Sequence, residues 1–277
     1  MINMNIPNAV GLGVHQRHKD HFVEIEHGPK STFLEAWGND AIHAYEPDVD
    51  MDFVWRLLGK KEDHPVSPAT KRRVHAIKAK ALNLIQPKLT ASIHEIAEVT
   101  LDRITMANGI GLKSRKLARY MDGAESCVVL AATVGPEIDN AINLMIAKKR
   151  LADAYILDAL GSGAVESLVA RFCQDIEEML TQVDCIPGLR FSPGYCDWPI
   201  TEQDKLFSLM QAENIGITLE TSGLMQPRKT ISATFGIFQE ISAKTITNKI
   251  PCLHCMKTNC IARRLPSRST SPPQHSN

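Results

Sequence analysis

The sequence carries no excess charge of either sign. Its 277 residues include 31 Lys and Arg against 31 Asp and Glu, which gives a formal net charge of +0. A balanced chain offers no electrostatic argument for binding nucleic acid or an acidic membrane. Long apolar runs are also missing, since the longest uncharged one, SCVVLAATVG, is far too short to span a bilayer. The first residues, MINMNIPNAVGLG, lack the features of a secretory signal, so we expect a cytoplasmic protein with neither a membrane nor a nucleic-acid partner.

Two common nucleotide-binding signatures are missing as well. GLG at position 11, GIG at 109 and GSG at 161 each begin a dinucleotide-binding pattern, but none has the third glycine at the required place. The sequence also contains no Walker A motif. These absences argue against a Rossmann-type site and against ATP hydrolysis on a P-loop.

The seven cysteines are odd in number and unevenly spaced, which disfavours a disulfide framework. Cys252, Cys255 and Cys260 form a C-x2-C-x4-C segment, and such thiolates are typical ligands of zinc or of an iron–sulfur cluster. A closed zinc site takes four ligands, so another group would have to complete this one: His254, Cys185, Cys196 or an outside ligand. Redox-active thiols and a cluster without function stay open as alternatives.

The chain divides into four segments. Residues 1–50 form a weakly patterned N-terminal extension of unknown role, residues 51–250 a folded domain, residues 251–264 a Cys-rich segment, and residues 265–277 a polar, Pro/Ser-rich tail that we expect to be disordered. Strand-like and helix-like stretches do not alternate regularly within the domain. The pattern therefore predicts an α+β fold, with an antiparallel or mixed twisted sheet and flanking helices.

Several helix boundaries are predicted by local signals. Ser67 is expected to cap a helix whose first residue is Pro68, and Thr201 is expected to cap another. The longest helix is predicted over about 151–183, where apolar residues recur at threes and fours. Gly161 and Gly163 interrupt it and indicate close approach, either by another helix or by a ligand.

The stretch RFSPGYCDWPI, residues 190–200, follows that helix and combines groups that suit a small zwitterionic ligand. The Arg190 guanidinium can hold a carboxylate through two hydrogen bonds. Gly194 lets the backbone approach a ligand closely, Tyr195 can stack or hydrogen-bond, and Pro193 stiffens the turn. The same residues are also compatible with a surface turn that has a packed tyrosine and binds no ligand.

The segment Arg190-Phe-Ser-Pro-Gly194-Tyr195 resembles the R-x-x-x-G-Y motif of the activation domain of vitamin B12-dependent methionine synthase. Four further stretches resemble the same family in the same order, over roughly residues 52 to 250: GIGLKSRKLARYMDGAESCVVLAATVGPEID, YILDALGSGAVESLVARF, GYCDWPITEQDKLFSLM and LMQPRKTISATFGIF. Several ordered motifs make this resemblance more specific than any one of them.

The resemblance implies a ligand, a reaction and partners. In this family the domain binds S-adenosylmethionine and supports the reductive remethylation of cob(II)alamin to methylcobalamin, mainly by positioning the methyl donor. By resemblance Arg190 would hold the methionine carboxylate, Pro193, Gly194 and Tyr195 would form the rest of the loop, and Glu166 would accept from the ammonium or a ribose hydroxyl. The implied partners are a separate cobalamin-dependent methionine synthase or another corrinoid protein, and an electron donor such as flavodoxin or ferredoxin.

The chain also departs from the family. It has no room for the homocysteine, folate and cobalamin modules, so the resemblance implies a stand-alone, shortened form. Phe235 stands where a tyrosine is expected, which keeps an aromatic face for the ligand but loses a hydroxyl. Two other functions therefore stay open: a non-catalytic module that binds a corrinoid protein, and a redox protein centred on the Cys252/Cys255/Cys260 cluster.

Overall fold

The computed structural model describes residues 41–60 and 66–239, which form nine strands and six α-helices. The strands are β1 (Ala41–Ala44), β2 (Lys88–Val99), β3 (Arg103–Met106), β4 (Gly111–Lys113), β5 (Ser126–Thr133), β6 (Cys185–Pro187), β7 (Thr218–Leu219), β8 (Met225–Gln226) and β9 (Thr230–Gln239). The helices are α1 (Met51–Leu57), α2 (Pro68–Ala81), α3 (Arg115–Met121), α4 (Glu137–Ala147), α5 (Leu151–Thr181) and α6 (Gln203–Phe207).

The main sheet has the strand order β4-β3-β2-β5-β9-β6, and β1 also pairs with β2. Every pairing in it is antiparallel. β7 and β8 form a small separate hairpin. The predicted α+β class with an antiparallel sheet is therefore confirmed, and helices flank the sheet as expected.

The sheet separates two hydrophobic cores. On one face, α1, α2, α4 and α5 pack against residues such as Leu130 of β5 and Phe235 of β9. On the other, α3, α6 and the loop residue Trp198 pack against residues such as Val129 of β5. Consecutive strand residues point to opposite faces, so β5 contributes to both cores, and all eight of its residues are buried. Burial on both faces explains why this strand has a continuous apolar sequence.

One of the two predicted helix caps is confirmed. Ser67 accepts a hydrogen bond from the Thr70 amide at the start of α2, and Pro68 is the first helical residue. Thr201 is different: residues 200–202 form a 3-10 turn, α6 begins after Glu202, and no side-chain cap hydrogen bond is present there. The prediction that Thr201 caps this helix was wrong, because the turn extends the helical conformation across Thr201.

The glycines of α5 mark helix crossings. A Cβ on Gly163 would lie 2.5 Å from Val54 Cγ2 of α1, and one on Gly161 would lie 2.8 Å from Ile138 Cγ2 of α4. Of the two explanations left open, close helix packing therefore accounts for both positions. Residues 41–50, which the sequence assigned to the N-terminal extension, also contact the domain: β1 pairs with β2, and the Asp50 amide donates to the Gly163 carbonyl oxygen at 3.1 Å.

Candidate functional site

The loop that carries Arg190, Pro193, Gly194 and Tyr195 leaves the sheet at its β6 edge. The Phe191 amide donates to the Thr234 carbonyl oxygen and the Thr234 amide donates back to Phe191, both at 2.9 Å. This isolated bridge ties the loop to β9 beyond the end of β6. Phe191 itself is buried in the core opposite α5, so the loop begins from a fixed point.

The next residues form a closed turn that exposes Gly194 and Tyr195. The Gly194 amide donates to the Trp198 carbonyl oxygen at 2.8 Å, and the Trp198 amide donates to the Tyr195 carbonyl oxygen at 3.0 Å. Gly194 has φ +87°, a left-handed conformation that favours glycine. Pro193 and Trp198 are buried under the turn, whereas the Tyr195 side chain is 49% exposed. The turn therefore presents bare backbone and an aromatic ring to solvent.

Arg190 and Glu166 form an ion pair at the base of this loop. Arg190 Nη2 lies 2.7 Å from Glu166 Oε2, and the two side chains are 13% and 31% exposed. Glu166 comes from α5, 24 residues before the arginine. The resemblance alone singled out Glu166, and the structure brings its carboxylate into contact with the guanidinium. A partly buried cation beside a carboxylate can bind a zwitterion, whose own carboxylate and ammonium match the two groups.

Phe235 lies elsewhere. It is 1% exposed and packs in the core between the sheet and α5. Its ring packs in the core on the α5 face of the sheet, whereas the exposed aromatic ring at the loop belongs to Tyr195.

Next to Glu166 on α5, Ser167 makes a contact that the sequence did not indicate. Its hydroxyl donates to Asp48 Oδ2 at 2.8 Å. This hydrogen bond lowers the pKa of Asp48, so the carboxyl stays ionised to lower pH than usual. The contact joins the segment before α1 to the helix that carries Glu166. Nothing in the local sequence signals it, because the two residues are 119 positions apart.

A polar cavity of about 570 Å³ lies at the start of α4, beside the β7–β8 hairpin. Its lining includes Asp139, Asn140, Asn143, Gln226 and Arg228. Asp139 is held by Arg228: the Arg228 amide donates to Asp139 Oδ2 at 2.6 Å, and Arg228 Nε lies 3.3 Å from Oδ1. No residue of the Arg190–Tyr195 loop lines this cavity, so it is a different place from the predicted ligand loop.

The predicted metal ligands Cys252, Cys255 and Cys260 lie outside the described residues. Of the two further cysteines considered as ligands, Cys185 is buried and Cys196 is exposed. Among residues 41–60 and 66–239, no group of three or more His, Cys, Asp or Glu side chains is arranged to hold a metal ion. Over the same ranges, no helix is both long enough and apolar enough to cross a membrane.

Comparison with known proteins supports the resemblance seen in the sequence. Residues 171–245 match the family model of the vitamin B12 dependent methionine synthase activation domain. The matched segment contains the whole Arg190–Tyr195 loop and Phe235. Glu166 precedes it, and the cysteine cluster follows it. The resemblance to this family is therefore confirmed.

A solved structure has the same fold. A crystal structure of the MetH reactivation domain bound to AdoHcy matches with a TM-score of 0.51 and 16% sequence identity, over 72% of this chain and 78% of that one. No curated protein matches this sequence significantly.

Proposed function

We propose that this protein binds S-adenosylmethionine at the Arg190–Tyr195 loop and supports the reductive remethylation of cob(II)alamin on a separate corrinoid protein. The partner would be a cobalamin-dependent methionine synthase or another corrinoid protein, with electrons from a donor such as flavodoxin or ferredoxin. The observation that carries this proposal is the Arg190–Glu166 ion pair at the base of an exposed Gly194–Tyr195 turn. The loop lies within the segment that matches the activation-domain family.

The residues of the loop fit a methionine-bearing ligand. The Arg190 guanidinium carries five N–H donors, which suits it to hold the α-carboxylate. Glu166, already paired with that guanidinium, would accept from the α-ammonium or from a ribose hydroxyl. The exposed backbone of Gly194 and the ring of Tyr195 would contact the nucleoside. We assign Phe235 no ligand contact, because its ring is buried in the core.

The contribution of the protein is positioning. S-adenosylmethionine supplies an activated methyl group, and the corrinoid on the partner supplies the metal that accepts it. The ion pair and the closed turn fix the orientation of the ligand before the partner arrives, so little ordering is left for the encounter. No side chain of the loop has to act as a nucleophile in this scheme.

The other function left open, a module that binds a corrinoid protein without methyl transfer, has some support at the same surface. Tyr195, Ile200 and Leu224 are exposed apolar side chains at 49%, 38% and 59%. A Cβ on Gly194 would lie 3.4 Å from Ile200 Cδ1, and one on Gly223 would lie 3.1 Å from the Ile200 carbonyl oxygen, so these residues border the same turn. A module of this kind would bind the partner but not S-adenosylmethionine.

Calorimetric titration with S-adenosylmethionine tests the proposal. We expect saturable binding by the wild type and a loss of about tenfold to a hundredfold in affinity for Arg190→Ala, since hydrogen bonds to charged groups contribute about 1.5–3 kcal/mol. Arg171→Ala is the matched control. Arg171 extends from α5, the helix that carries Glu166, but its guanidinium donates to the Glu46 carbonyl oxygen at 2.9 Å and lies over the Tyr45 ring.

The variants separate the outcomes. Weak binding by Arg190→Ala with normal binding by Arg171→Ala would support the loop as the ligand site. Equal affinity of Arg190→Ala and the wild type would contradict it. If the wild type bound a corrinoid protein but not S-adenosylmethionine, the binding-module alternative would stand instead.

A further inference from the structure

A carboxylate inside the ligand loop is bound to a distant helix. Asp197 Oδ1 accepts from the Ser114 hydroxyl at 2.8 Å, and Oδ2 accepts from the Arg115 amide at 2.9 Å. The Lys116 amide lies 3.3 Å from both oxygens. These donors form the first turn of α3, where backbone amides have no partner within the helix. Asp197 therefore accepts hydrogen bonds from the first-turn amides of a helix that lies more than 80 residues earlier in the chain.

Two groups divide the capping of α3. Ser114 is the N-cap by position, and its hydroxyl oxygen accepts from the Leu117 amide at 3.1 Å. The same hydroxyl donates to Asp197, so the local cap and the distant carboxylate form one network. A carboxylate at a helix N-terminus is favoured both by these hydrogen bonds and by the helix dipole.

Glu202 makes a second attachment to the same corner. Its Oε2 accepts from the Lys113 amide at 2.9 Å, and its Oε1 lies 2.6 Å from Lys205 Nζ. Lys113 is the last residue of β4, directly before Ser114. Asp197 and Glu202 thus hold the segment after the ligand turn against backbone amides at residues 113, 115 and 116.

Asp197 also belongs to the turn that presents Gly194 and Tyr195. The hydrogen bonds from the Gly194 amide to the Trp198 carbonyl and from the Trp198 amide to the Tyr195 carbonyl close the backbone on both sides of it. Trp198 is 2% exposed and fixes one end in the core. The Asp197 contacts attach this exposed turn to the start of α3. The carboxylate sets where this turn lies relative to α3.

We propose that Asp197 is a positioning residue for the ligand loop, which keeps Gly194 and Tyr195 in the conformation that binds S-adenosylmethionine. This inference rests on the proposed function. Asp197 touches no ligand in this scheme and acts through the turn. A loop that is already ordered loses less conformational entropy on binding, so its affinity is higher than that of a loop that must be ordered by the ligand.

The test compares Asp197→Asn with a second N-cap variant, Ser67→Ala. Asparagine keeps the size of the side chain but removes the charge and turns a donor group toward backbone donors. Ser67 caps α2 by accepting from the Thr70 amide, and it does not belong to the ligand loop. Ser67→Ala therefore lowers stability through the loss of a helix cap, as Asp197→Asn does, but leaves the loop unchanged. Both variants are titrated with S-adenosylmethionine at a temperature at which circular dichroism shows each to be folded. Hydrogen exchange is measured at residues 194–198 in the free proteins.

We expect Asp197→Asn to weaken the binding of S-adenosylmethionine by about tenfold. This is the lower end of the range of effects for hydrogen bonds to charged groups, because Asp197 is exposed. We also expect faster hydrogen exchange of the Gly194 and Trp198 amides. Ser67→Ala should bind as the wild type does. Asp197→Glu, which keeps the carboxylate, should recover part of the affinity, and it serves as the test if Asp197→Asn does not fold.

Two results would overturn the inference in distinguishable ways. If the wild type binds S-adenosylmethionine and Asp197→Asn binds it equally well with unchanged exchange at residues 194–198, Asp197 has no positioning role and the proposed function stands. If the wild type does not bind, the proposed function fails, and the inference falls with it.

Discussion

Replacing Gly163 by alanine should destabilise the protein although alanine is the better helix former. Gly163 lies in the middle of α5, and its carbonyl oxygen accepts from the Asp50 amide at 3.1 Å. A Cβ there would lie 2.5 Å from Val54 Cγ2, 3.0 Å from the Asp50 carbonyl oxygen and 3.1 Å from Val49 Cγ1. Val54 and Val49 are buried at 0% and 4% exposure, so neither can move into solvent.

The two opposing terms can be compared. Alanine in place of glycine in a helix interior stabilises by about 0.8–1 kcal/mol. Inserting a methyl group into a packed core costs about 1–3 kcal/mol. We place Gly163→Ala in the upper half of that range, because one neighbour is a backbone oxygen that cannot rotate away. The net expectation is a loss of about 1–2 kcal/mol in the free energy of unfolding.

Urea denaturation of four proteins measures this effect: the wild type, Gly163→Ala, Val54→Ala and the double variant. Val54→Ala removes the methyl group that lies 2.5 Å from the new Cβ. The double variant should therefore be more stable than the two single effects predict when added, by at least about 0.5 kcal/mol. A Gly163→Ala protein as stable as the wild type would refute the steric reasoning, and an additive double variant would show that Val54 is not the obstacle.

Two further predictions concern ionisable groups. Hydrogen bonds from Arg73 and then Arg150 hold the pKa of Asp153 below its usual value of 3.8, so its contribution to stability is full above that value and is lost as the pH falls through the lower native pKa. Between pH 6 and pH 3, urea titrations should show a smaller loss of unfolding free energy for Asp153→Asn than for the wild type; equal losses would contradict the assignment. Burial raises the pKa of Cys127 to about 12, so peptide mapping after alkylation at pH 8 should find Cys127 unmodified in the native protein while exposed Cys196 reacts. Equal labelling of both would contradict it.

The sequence predicted those parts of the fold that depend on neighbouring residues. Ser67 and Pro68 mark the start of α2 because both the cap hydroxyl and the proline ring act on the next turn. The uncharged run SCVVLAATVG contains the whole of β5, as expected of a strand that is buried on both faces. Gly161 and Gly163 indicated a close approach, but only the structure shows that the neighbours are α4 and α1.

Contacts between segments that are distant in the chain could not be predicted from the sequence. Thr201 was predicted to cap a helix, but it lies inside a 3-10 turn that runs directly into α6. Glu202 accepts a hydrogen bond from the Lys113 amide, 89 residues away. Asp197 gave no local signal either, since its partners belong to α3. Arg190 could be chosen for its chemistry, whereas Glu166 entered only through resemblance to the family, because helical spacing does not reveal which loop lies opposite.

The most direct test of the central claim is a crystal structure of the protein grown with S-adenosylhomocysteine, the product of methyl transfer from S-adenosylmethionine. We predict that the ligand carboxylate lies against the Arg190 guanidinium, with Glu166 beside the ligand and the Gly194–Tyr195 turn in contact with the nucleoside. A ligand bound instead in the polar cavity between Asp139 and Gln226, with the Arg190–Glu166 pair untouched, would contradict the claim that this loop is the binding site.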